Sequence, residues 1–330
     1  LWLPDVFGYS AALPQIMKKS GIDYFMTAKL KNNEFNKFPY HTFMWRGIDG
    51  TEILSHITIY CPHAYNGLAD QGDIVESWNR YENKELNNDV ILPYGYGDGG
   101  GGPTKEMLEY IRRYYNGLPG SPKARPGKAR EFFDKLKERV QGNKRLPKWV
   151  GELYYEFHRG TYTSMAKNKR YNRKAEFLYT TAEWAASLSG TLFGDAYPSD
   201  ELNNGWKNIL LNQFHDVLPG SSIKQVYEDT DEMYARIFDA GSRVLEGCIN
   251  RIASSIKTEC QSLVVFNPLS WEKNGLVEFV YPSDKGRIYL VGKDGKIFTC
   301  QRVSQKDNKY VAEVEKVSSK GYSTFEIKEG

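Results

Sequence analysis

The spacing of hydrophobic and polar residues changes several times along the chain. Residues 1–100 alternate short apolar runs with glycine and proline turns and one helical stretch, AALPQIMKKSGI. The runs DYFMTAKL, EILSHITIY and DVILPYGYG are typical of strands. Two amphipathic helices are predicted within residues 104–140, and a further strand at WVGELYYEF. This alternation of helices and strands predicts an α/β layer or barrel.

In the second half of the chain, the hydrophobic residues recur first with a helical period and then with a period of two. Residues 164–256 contain three long stretches with helical periodicity, joined by short loops, which predict a helical bundle. Ser222 and Gln225 have the spacing of a capping box at the start of the third helix. From about residue 261 the period changes to two, and six short runs with turns between them predict an antiparallel β-domain.

Composition narrows the class of protein. A chain of 330 residues with 40% hydrophobic and 26% charged residues predicts a soluble globular protein of two or three domains. The 44 basic and 41 acidic residues nearly balance, so nucleic acid is not an expected partner. The sequence has neither an apolar run of about 18 residues nor a visible secretory signal, so no membrane is expected. Four scattered cysteines favour reduced thiols and a cytoplasmic location.

Three short stretches contain candidate chemistry, and each has a structural alternative. Asp5 follows an apolar segment, where it is either a functional carboxylate or a turn and helix cap. Asp98 precedes four glycines. This stretch could be a phosphate-binding loop, a flexible turn, or a loop whose backbone approaches a bulky ligand. We favour the third interpretation, with Asp98 as an acid or base beside the ligand. His215, beside Asp216, is either a residue favoured by the helix dipole or a metal ligand.

Aromatic residues suggest a fourth candidate for a functional site. They make up 14% of the chain, which fits either large cores or a sugar site, where rings stack on apolar sugar faces. The polar and aromatic run GELYYEFHRGTYTS, which includes His158 and Tyr162, is either the lining of a polyol site or a charged connector.

Five motifs in order resemble glycoside hydrolase family 38 α-mannosidases, more closely their bacterial and cytosolic branch than their Golgi branch. The motifs are LWLPDVFGYSAALPQIMKKSGI, FPYHTFMWRGIDG, GYGDGGGGPT, ELYYEFHRGTYTS with KNKRYNR, and LLNQFHDVLPGSSI. The resemblance implies a multidomain layout. Residues 1–157 would be the later part of a seven-stranded α/β barrel, 158–257 a three-helix bundle and 258–330 the start of an antiparallel β-sandwich.

The resemblance also implies roles for individual residues. It implies one zinc ion, bound in the family by a His-x-Asp pair, the nucleophile and a histidine of the helical domain. Asp5 matches the nucleophile and zinc ligand, His215 the helical-domain ligand, and Asp98 approximately the acid/base. The substrate-binding set implied or expected beside them is Asp216, Lys29, Tyr60, His158 and Tyr162.

The expected function is that of a retaining, zinc-dependent α-mannosidase acting on mannose-containing oligosaccharides or N-glycan-derived mannosides. The large size of the family's members is compatible with a homodimer. The sequence has no His-x-Asp pair, so two further zinc ligands are expected upstream, and residues 1–330 alone are expected to be inactive. Two alternatives stay open: a metal-dependent carbohydrate deacetylase, which releases acetate, and a non-catalytic glycan-binding module.

Overall fold

The computed structural model describes residues 1–59, 65–283, 287–304 and 306–330. Within these residues the chain forms two units, Leu1–Gly160 and Thr161–Gly330. The first unit mixes helices with short strands, and the second contains long helices followed by an antiparallel sheet. The predicted mixture of an α/β region, a helical region and an antiparallel β-region is therefore confirmed.

The first unit is organised around a four-stranded mixed sheet. Its elements are β1 (Gly8–Tyr9), α1 (Leu13–Lys19), β2 (Tyr24–Thr27), β3 (Thr42–Arg46), β4 (Glu52–Ile57), α2 (Gln71–Asn79), α3 (Lys105–Tyr115), α4 (Ala129–Val140), β5 (Lys148–Val150) and β6 (Leu153–Tyr154). The sheet has the order β2-β4-β3-β5, in which β2 runs parallel to β4, β4 antiparallel to β3, and β3 parallel to β5. Strands β1 and β6 form a separate antiparallel pair.

Alternation along the strands gives this sheet two buried faces. Phe25 and Trp45 belong to one core, which also contains Tyr9 and Tyr155. Met26 and its sheet neighbours pack instead against the apolar side of α4. Because successive side chains of a strand point to opposite faces, one run of apolar residues supplies both cores.

The predicted strand at DVILPYGYG is wrong. Residues 89–97 contain only an isolated bridge, between Gly67 and Tyr94. Pro93 has no N–H to give to a ladder, and Gly95 has a φ of +110° that no regular strand adopts. The segment is therefore an extended connection that leads into the glycine-rich loop.

The second unit begins with three helices that share one core. They are α5 (Ala166–Phe193), α6 (Ser199–Asn212) and α7 (Lys224–Ser255). Tyr179 of α5 is fully buried between the other two helices, and its hydroxyl donates a hydrogen bond to the carbonyl of Ile237, at 3.0 Å. Glycine lets the helices approach this ring, since a Cβ at Gly205 would lie 2.1 Å from it.

The capping box predicted at Ser222 is wrong. The N-cap position of α7 is occupied by Ile223, and no side chain caps it. The Ser222 hydroxyl instead donates to the carbonyl of Asp216, at 2.7 Å. Tertiary contact with the preceding loop has replaced the local hydrogen bond that the sequence spacing suggested.

All six strands predicted for the end of the chain are confirmed. They are β7 (Ser262–Asn267), β8 (Lys273–Val280), β9 (Ile288–Gly292), β10 (Ile297–Ser304), β11 (Lys309–Val317) and β12 (Gly321–Glu329), paired antiparallel in the order β7-β12-β9-β10-β11-β8. Strands β7 and β12 also approach β11 across the curved sheet. The inner face packs around Tyr310, Val314 and Phe325.

Over the described ranges, each helix is too short or too polar to cross a bilayer. This agrees with the hydropathy of the sequence, where no long apolar run occurs.

Two glycine-to-alanine substitutions test the helix packing in opposite directions. Gly205→Ala should destabilise the second unit by about 2 kcal/mol, because the new methyl group would overlap the buried Tyr179 ring. Gly247→Ala lies on an open surface of α7 and should stabilise by about 1 kcal/mol through helix propensity. Urea unfolding measures both changes, and equal effects of the two variants would contradict the packing described here.

Candidate functional site

Asp5 and Lys29 meet at the ends of two neighbouring extended segments. Trp2 forms a parallel bridge with Met26 of β2, and Leu3 N donates to Met26 O at 3.0 Å. Because parallel segments end at the same edge, the residues that follow them come together there. Asp5 and Lys29 form an ion pair at this edge, with the Lys29 side chain 16% exposed and that of Asp5 43% exposed. The carboxylate is therefore fixed by a cation on one side and open on another.

Aromatic rings pack against the Lys29 side of this ion pair. The Lys29 ammonium lies 4.5 Å from the centre of the Phe7 ring. His158 stacks on Phe7 with ring centres 4.1 Å apart, and Tyr155 stacks on His158 at 5.2 Å. The stack joins the segment after Asp5 to the segment after β6, so two parts of the chain 150 positions apart form one surface.

The charge state of His158 follows from these neighbours. Burial lowers the pKa of its imidazole, the positive charge of Lys29 lowers it further, and the carboxylate of Asp5 opposes both effects. The net result is a lowered pKa, which leaves the ring neutral near pH 7. A neutral imidazole can donate a hydrogen bond from one nitrogen and accept at the other.

Glu156 organises the loop beside this surface. It is 4% exposed, and its carboxylate accepts the main-chain N–H groups of Glu34, Phe35 and Asn36, the latter two at 2.8 and 3.0 Å. Burial raises the pKa of Glu156, but these main-chain hydrogen bonds outweigh it and the net pKa is lowered. Glu156 is thus a structural anchor and not part of a polyol lining, a role that sequence reasoning missed.

Asp98 lies at the tip of the glycine-rich loop. The loop is closed by a hydrogen bond from Tyr96 N to Gly102 O, at 3.1 Å, and Asp98 itself has a φ of +56°. Its carboxylate accepts hydrogen bonds from Asn66 Nδ2 at 3.3 Å and from the Tyr65 hydroxyl at 3.5 Å. The side chain is exposed to solvent. The loop therefore presents a carboxylate outward while a neighbouring segment holds it.

Steric contacts explain part of the glycine content of this loop. A Cβ at Gly97 would lie 2.2 Å from Asn66 Oδ1, and one at Gly101 would lie 2.6 Å from Tyr96 O. Any other residue at either position would force the loop away from Asn66 or from its own first turn. The close approaches that require these glycines are therefore to the protein's own chain, and the approach of the loop to a bulky ligand stays a prediction.

His215 and Asp216 follow α6 in the second unit. His215 is in a turn that begins after Asn212, so it is not a residue of the helix itself. Its side chain is 75% exposed, and its Nε2 lies 3.5 Å from a carboxylate oxygen of Asp216. The only ring that stacks near it among the described residues is Phe214, at 4.2 Å. The imidazole is consequently accessible to a ligand from solvent.

The remaining candidate residues are placed as follows. Tyr162 is 55% exposed at the end of the 3-10 segment Glu156–Tyr162, and it belongs to the second unit. Tyr60 lies outside the described residues. The structure thus brings Asp5, Lys29 and His158 together. Asp98 has neither a hydrogen bond nor an ion pair with Asp5 among the described residues.

Two further histidines are buried away from this surface. His56 is fully buried and its Nδ1 lies 3.0 Å from the Thr42 hydroxyl, while His41 accepts a hydrogen bond from the main chain of Glu82. Burial lowers the pKa of His56 to about 3 and that of His41 to about 2, with the charge of Lys31 adding to both shifts. Both are therefore neutral core residues.

The donor set can be compared with the requirements of a metal ion. In the ranges that the structure describes, no three His, Cys, Asp or Glu side chains lie close enough together to hold one. Each unit nevertheless presents one accessible ligand of a type that zinc accepts: the Asp5 carboxylate, and the His215 imidazole. Each of them is by itself compatible with a single zinc ligand, and the described residues around neither of them complete a site.

Comparison with known proteins identifies the family. Residues 1–152 match the glycosyl hydrolases family 38 N-terminal domain, and residues 156–252 match the α-mannosidase middle domain. The chain therefore belongs to glycosyl hydrolase family 38.

Relatives with these domains are much longer than this chain. It is 40% identical to the α-mannosidase of Saccharomyces cerevisiae over 280 residues, which are 82% of this chain and 25% of the relative. It is 41% identical to α-mannosidase G of Dictyostelium discoideum over 257 residues, 77% of this chain and 23% of the relative. The chain thus spans about a quarter of the length of these relatives.

A solved structure has the same fold. The crystal structure of an α-mannosidase from Enterococcus faecalis superposes with a TM-score of 0.67 at 17% sequence identity, covering 100% of this chain and 43% of the other. At this low identity, the likeness supports the fold and carries no residue roles.

Replacing Glu156 with glutamine should loosen the 34–36 loop and lower stability. The folded pKa of Glu156 is below its ordinary value of 4.5, so its contribution is fully present above that pH and is lost as pH falls through the lower folded pKa. The difference in urea midpoint between wild type and Glu156→Gln should therefore be constant from about pH 8 to pH 5 and shrink in more acidic buffer.

Glu152→Gln is the matched control for this experiment, because Glu152 is an exposed carboxylate on the same connection. It should leave the urea midpoint unchanged at every pH. A Glu156→Gln deficit that persists undiminished at about pH 3 would contradict the anchoring role of the ionised carboxylate.

Proposed function

We propose that the full-length protein containing this chain is a zinc-dependent, retaining α-mannosidase that acts on mannose-containing oligosaccharides. The observation that carries this proposal is the match to both the family 38 N-terminal domain and the α-mannosidase middle domain, with α-mannosidases as relatives at 40% and 41% identity. The Asp5–Lys29 pair adds support, since it supplies an accessible carboxylate next to a fixed cation.

The same match supports the layout that we propose for the full-length protein. Residues 1–157 would contribute to a seven-stranded α/β barrel, residues 158–257 would form a three-helix bundle, and residues 258–330 would begin a β-sandwich. The three helices around Tyr179 and the six-stranded sheet support the last two assignments. The free thiols of Cys248, Cys260 and Cys300 support a cytoplasmic location.

Asp5 and His215 would be ligands of the zinc ion, with two more ligands from outside this chain. When bound, zinc would supply a positive charge that keeps Asp5 ionised and attracts the sugar hydroxyls. Lys29 already places one positive charge beside Asp5.

The first chemical step uses the two carboxyl groups of a retaining glycosidase. A carboxylate oxygen of Asp5 would attack the anomeric carbon and form an ester to it. The bond from that carbon to the glycosidic oxygen breaks at the same time, and Asp98 would give its proton to the departing oxygen. The products are a glycosyl ester on Asp5, an ionised Asp98 and the released alcohol.

The second step regenerates both groups. Ionised Asp98 would take a proton from a water molecule while the water oxygen attacks the anomeric carbon. The ester bond between that carbon and Asp5 breaks at the same time. Two inversions give mannose with the configuration of the substrate. The hydrogen bonds from Asn66 and Tyr65 hold the Asp98 carboxylate in one orientation for both proton transfers.

The remaining residues would position the sugar. Neutral His158, held between two rings, offers a donor and an acceptor to sugar hydroxyls beside Asp5. Asp216 would accept hydrogen bonds from hydroxyls near the zinc ion. Tyr162, exposed, and Tyr60 would add aromatic surface.

Asp5→Asn in the full-length protein should reduce turnover of an activated aryl α-mannoside by at least about a thousandfold, because the nucleophile is lost. Asp23→Asn is the matched control: Asp23 is also an aspartate of the first unit paired with a lysine, Lys18, at 2.7 Å. The control should keep wild-type turnover, and loss of activity on treatment with a chelator should be reversed by added zinc.

Three results would reject the proposal. Normal turnover by Asp5→Asn would remove the nucleophile assignment. Release of acetate from acetylated sugars, without release of mannose, would favour a deacetylase. Glycan binding that survives chelation, with no hydrolysis by the wild type, would favour a binding module.

Asp98→Asn should lower activity in a manner that depends on the leaving group. Hydrolysis of unactivated mannosides should fall by about 10² to 10⁴-fold, because the departing oxygen lacks a proton donor, whereas activated aryl mannosides should be affected less in the first step. The ratio of kcat/KM values for the two substrates measures this. Asp49→Asn, another loop aspartate, should leave the ratio unchanged; equal losses by Asp98→Asn on both substrates would argue against an acid role.

A further inference from the structure

The amine of Lys169 joins two loops at one end of the helical region. Lys169 is in the first turn of α5, and its Nζ donates to the carbonyl oxygens of Ser164 at 2.5 Å, Leu218 at 2.9 Å and Pro219 at 3.1 Å. Ser164 belongs to the loop before α5, and the other two belong to the loop between α6 and α7.

These contacts use the whole hydrogen-bonding capacity of the side chain. An ammonium group has three donors, and three carbonyl oxygens receive them. Lys169 is half-buried, and this burial lowers the pKa of its ammonium group. A side chain with all three donors occupied by main chain is a tie between loops and has no donor left for a substrate.

The two loops also touch directly at Gly220. This residue has a φ of +92°, and a Cβ there would lie 2.7 Å from both the Cβ and the carbonyl oxygen of Ser164. The close approach is possible only because Gly220 lacks a side chain. Lys169 and Gly220 therefore fix the same pair of loops through independent contacts.

The second of these loops carries His215 and Asp216. The carbonyl of Asp216 accepts the Ser222 hydroxyl at 2.7 Å, so one side of the loop is tied to the start of α7. His215 has a side chain that is 75% exposed. Its direction depends on the main chain of the loop, because its contacts are with Phe214 and Asp216 of the same loop.

We propose that Lys169 is a positioning residue that holds the Phe214–Ser222 loop in the conformation that presents His215 and Asp216. Its effect on metal and sugar binding rests on the proposed function. The tie between the loops does not, because it consists of contacts within this chain.

Hydrogen exchange measured by mass spectrometry tests the tie itself. The reporters are the amides of Val217, Leu218 and Gly220, which donate to main-chain carbonyls within the loop. Lys169→Met should accelerate their exchange by about tenfold, since three carbonyls lose their donor, while α5 and α7 stay protected. Lys169→Arg should restore most of the protection, because guanidinium also donates to carbonyls.

Lys167→Met is the matched control. Lys167 is two positions away on the same helix and pairs with Asp231 at 2.6 Å; among the described residues, no hydrogen bond or ion pair joins it to the loop. It should leave loop exchange unchanged. If Lys169→Met unfolds the helices, Gly220→Ala with Lys169 intact replaces it and should accelerate the same amides. Unchanged loop exchange in the variant that folds would overturn the proposal.

Zinc affinity of the full-length protein gives the second readout. Lys169→Met should weaken zinc binding by about tenfold in a chelator competition, with Lys169→Arg close to wild type and Lys167→Met unchanged. Loosened loop exchange together with unchanged zinc affinity would overturn the positioning role. A wild-type protein that binds no zinc would reject the proposed function, while the exchange experiment would still decide whether Lys169 holds the loop.

Discussion

The ion pair between Asp5 and Lys29 is the contact around which the candidate site of the first unit is arranged. The ion pair exists because the segment before Asp5 lies parallel to β2, so that both residues emerge at the same edge. The Phe7 ring then receives the lysine charge, and His158 stacks on that ring. The Phe7 and His158 rings are thus arranged around this ion pair, and the pKa of His158 is lowered because burial and the Lys29 charge outweigh the effect of Asp5.

Much of the fold could be predicted from the sequence because its determinants are local. The strands of the final sheet alternate apolar and polar residues, and the alternation survives folding since one face is buried around Tyr310. The long helices likewise keep the apolar face that their periodicity predicts, and this face is buried around Tyr179. The prediction failed at residues 89–97, where an apolar run is interrupted by Pro93 and Gly95. An apolar run forms a strand only where its main chain can pair with a neighbouring strand.

The candidate site was predictable only in part, for a related reason. Asp5, Asp98 and His215 stand out in the sequence because they adjoin glycines, prolines or element ends, and these neighbours mark turns. The supporting residues have no such mark. Glu156 is bonded to main chain 120 positions away, and Lys169 to main chain 49 and 50 positions away. No local pattern distinguishes either residue from the many other charged side chains of the sequence.

Glu156 and Lys169 bind their loops in the same manner with opposite charge: one gathers N–H groups and the other gathers carbonyl groups. Apart from the Asn36 amide, which donates to the Glu156 carboxylate at 3.1 Å, the hydrogen bonds of both residues go to main chain. Phe35, whose N–H donates to Glu156, has a side chain that is 81% exposed. Loops held in this way keep their shape while their sequence changes. Sequence changes can therefore alter the surface around the candidate site without disturbing the main-chain frame that holds it.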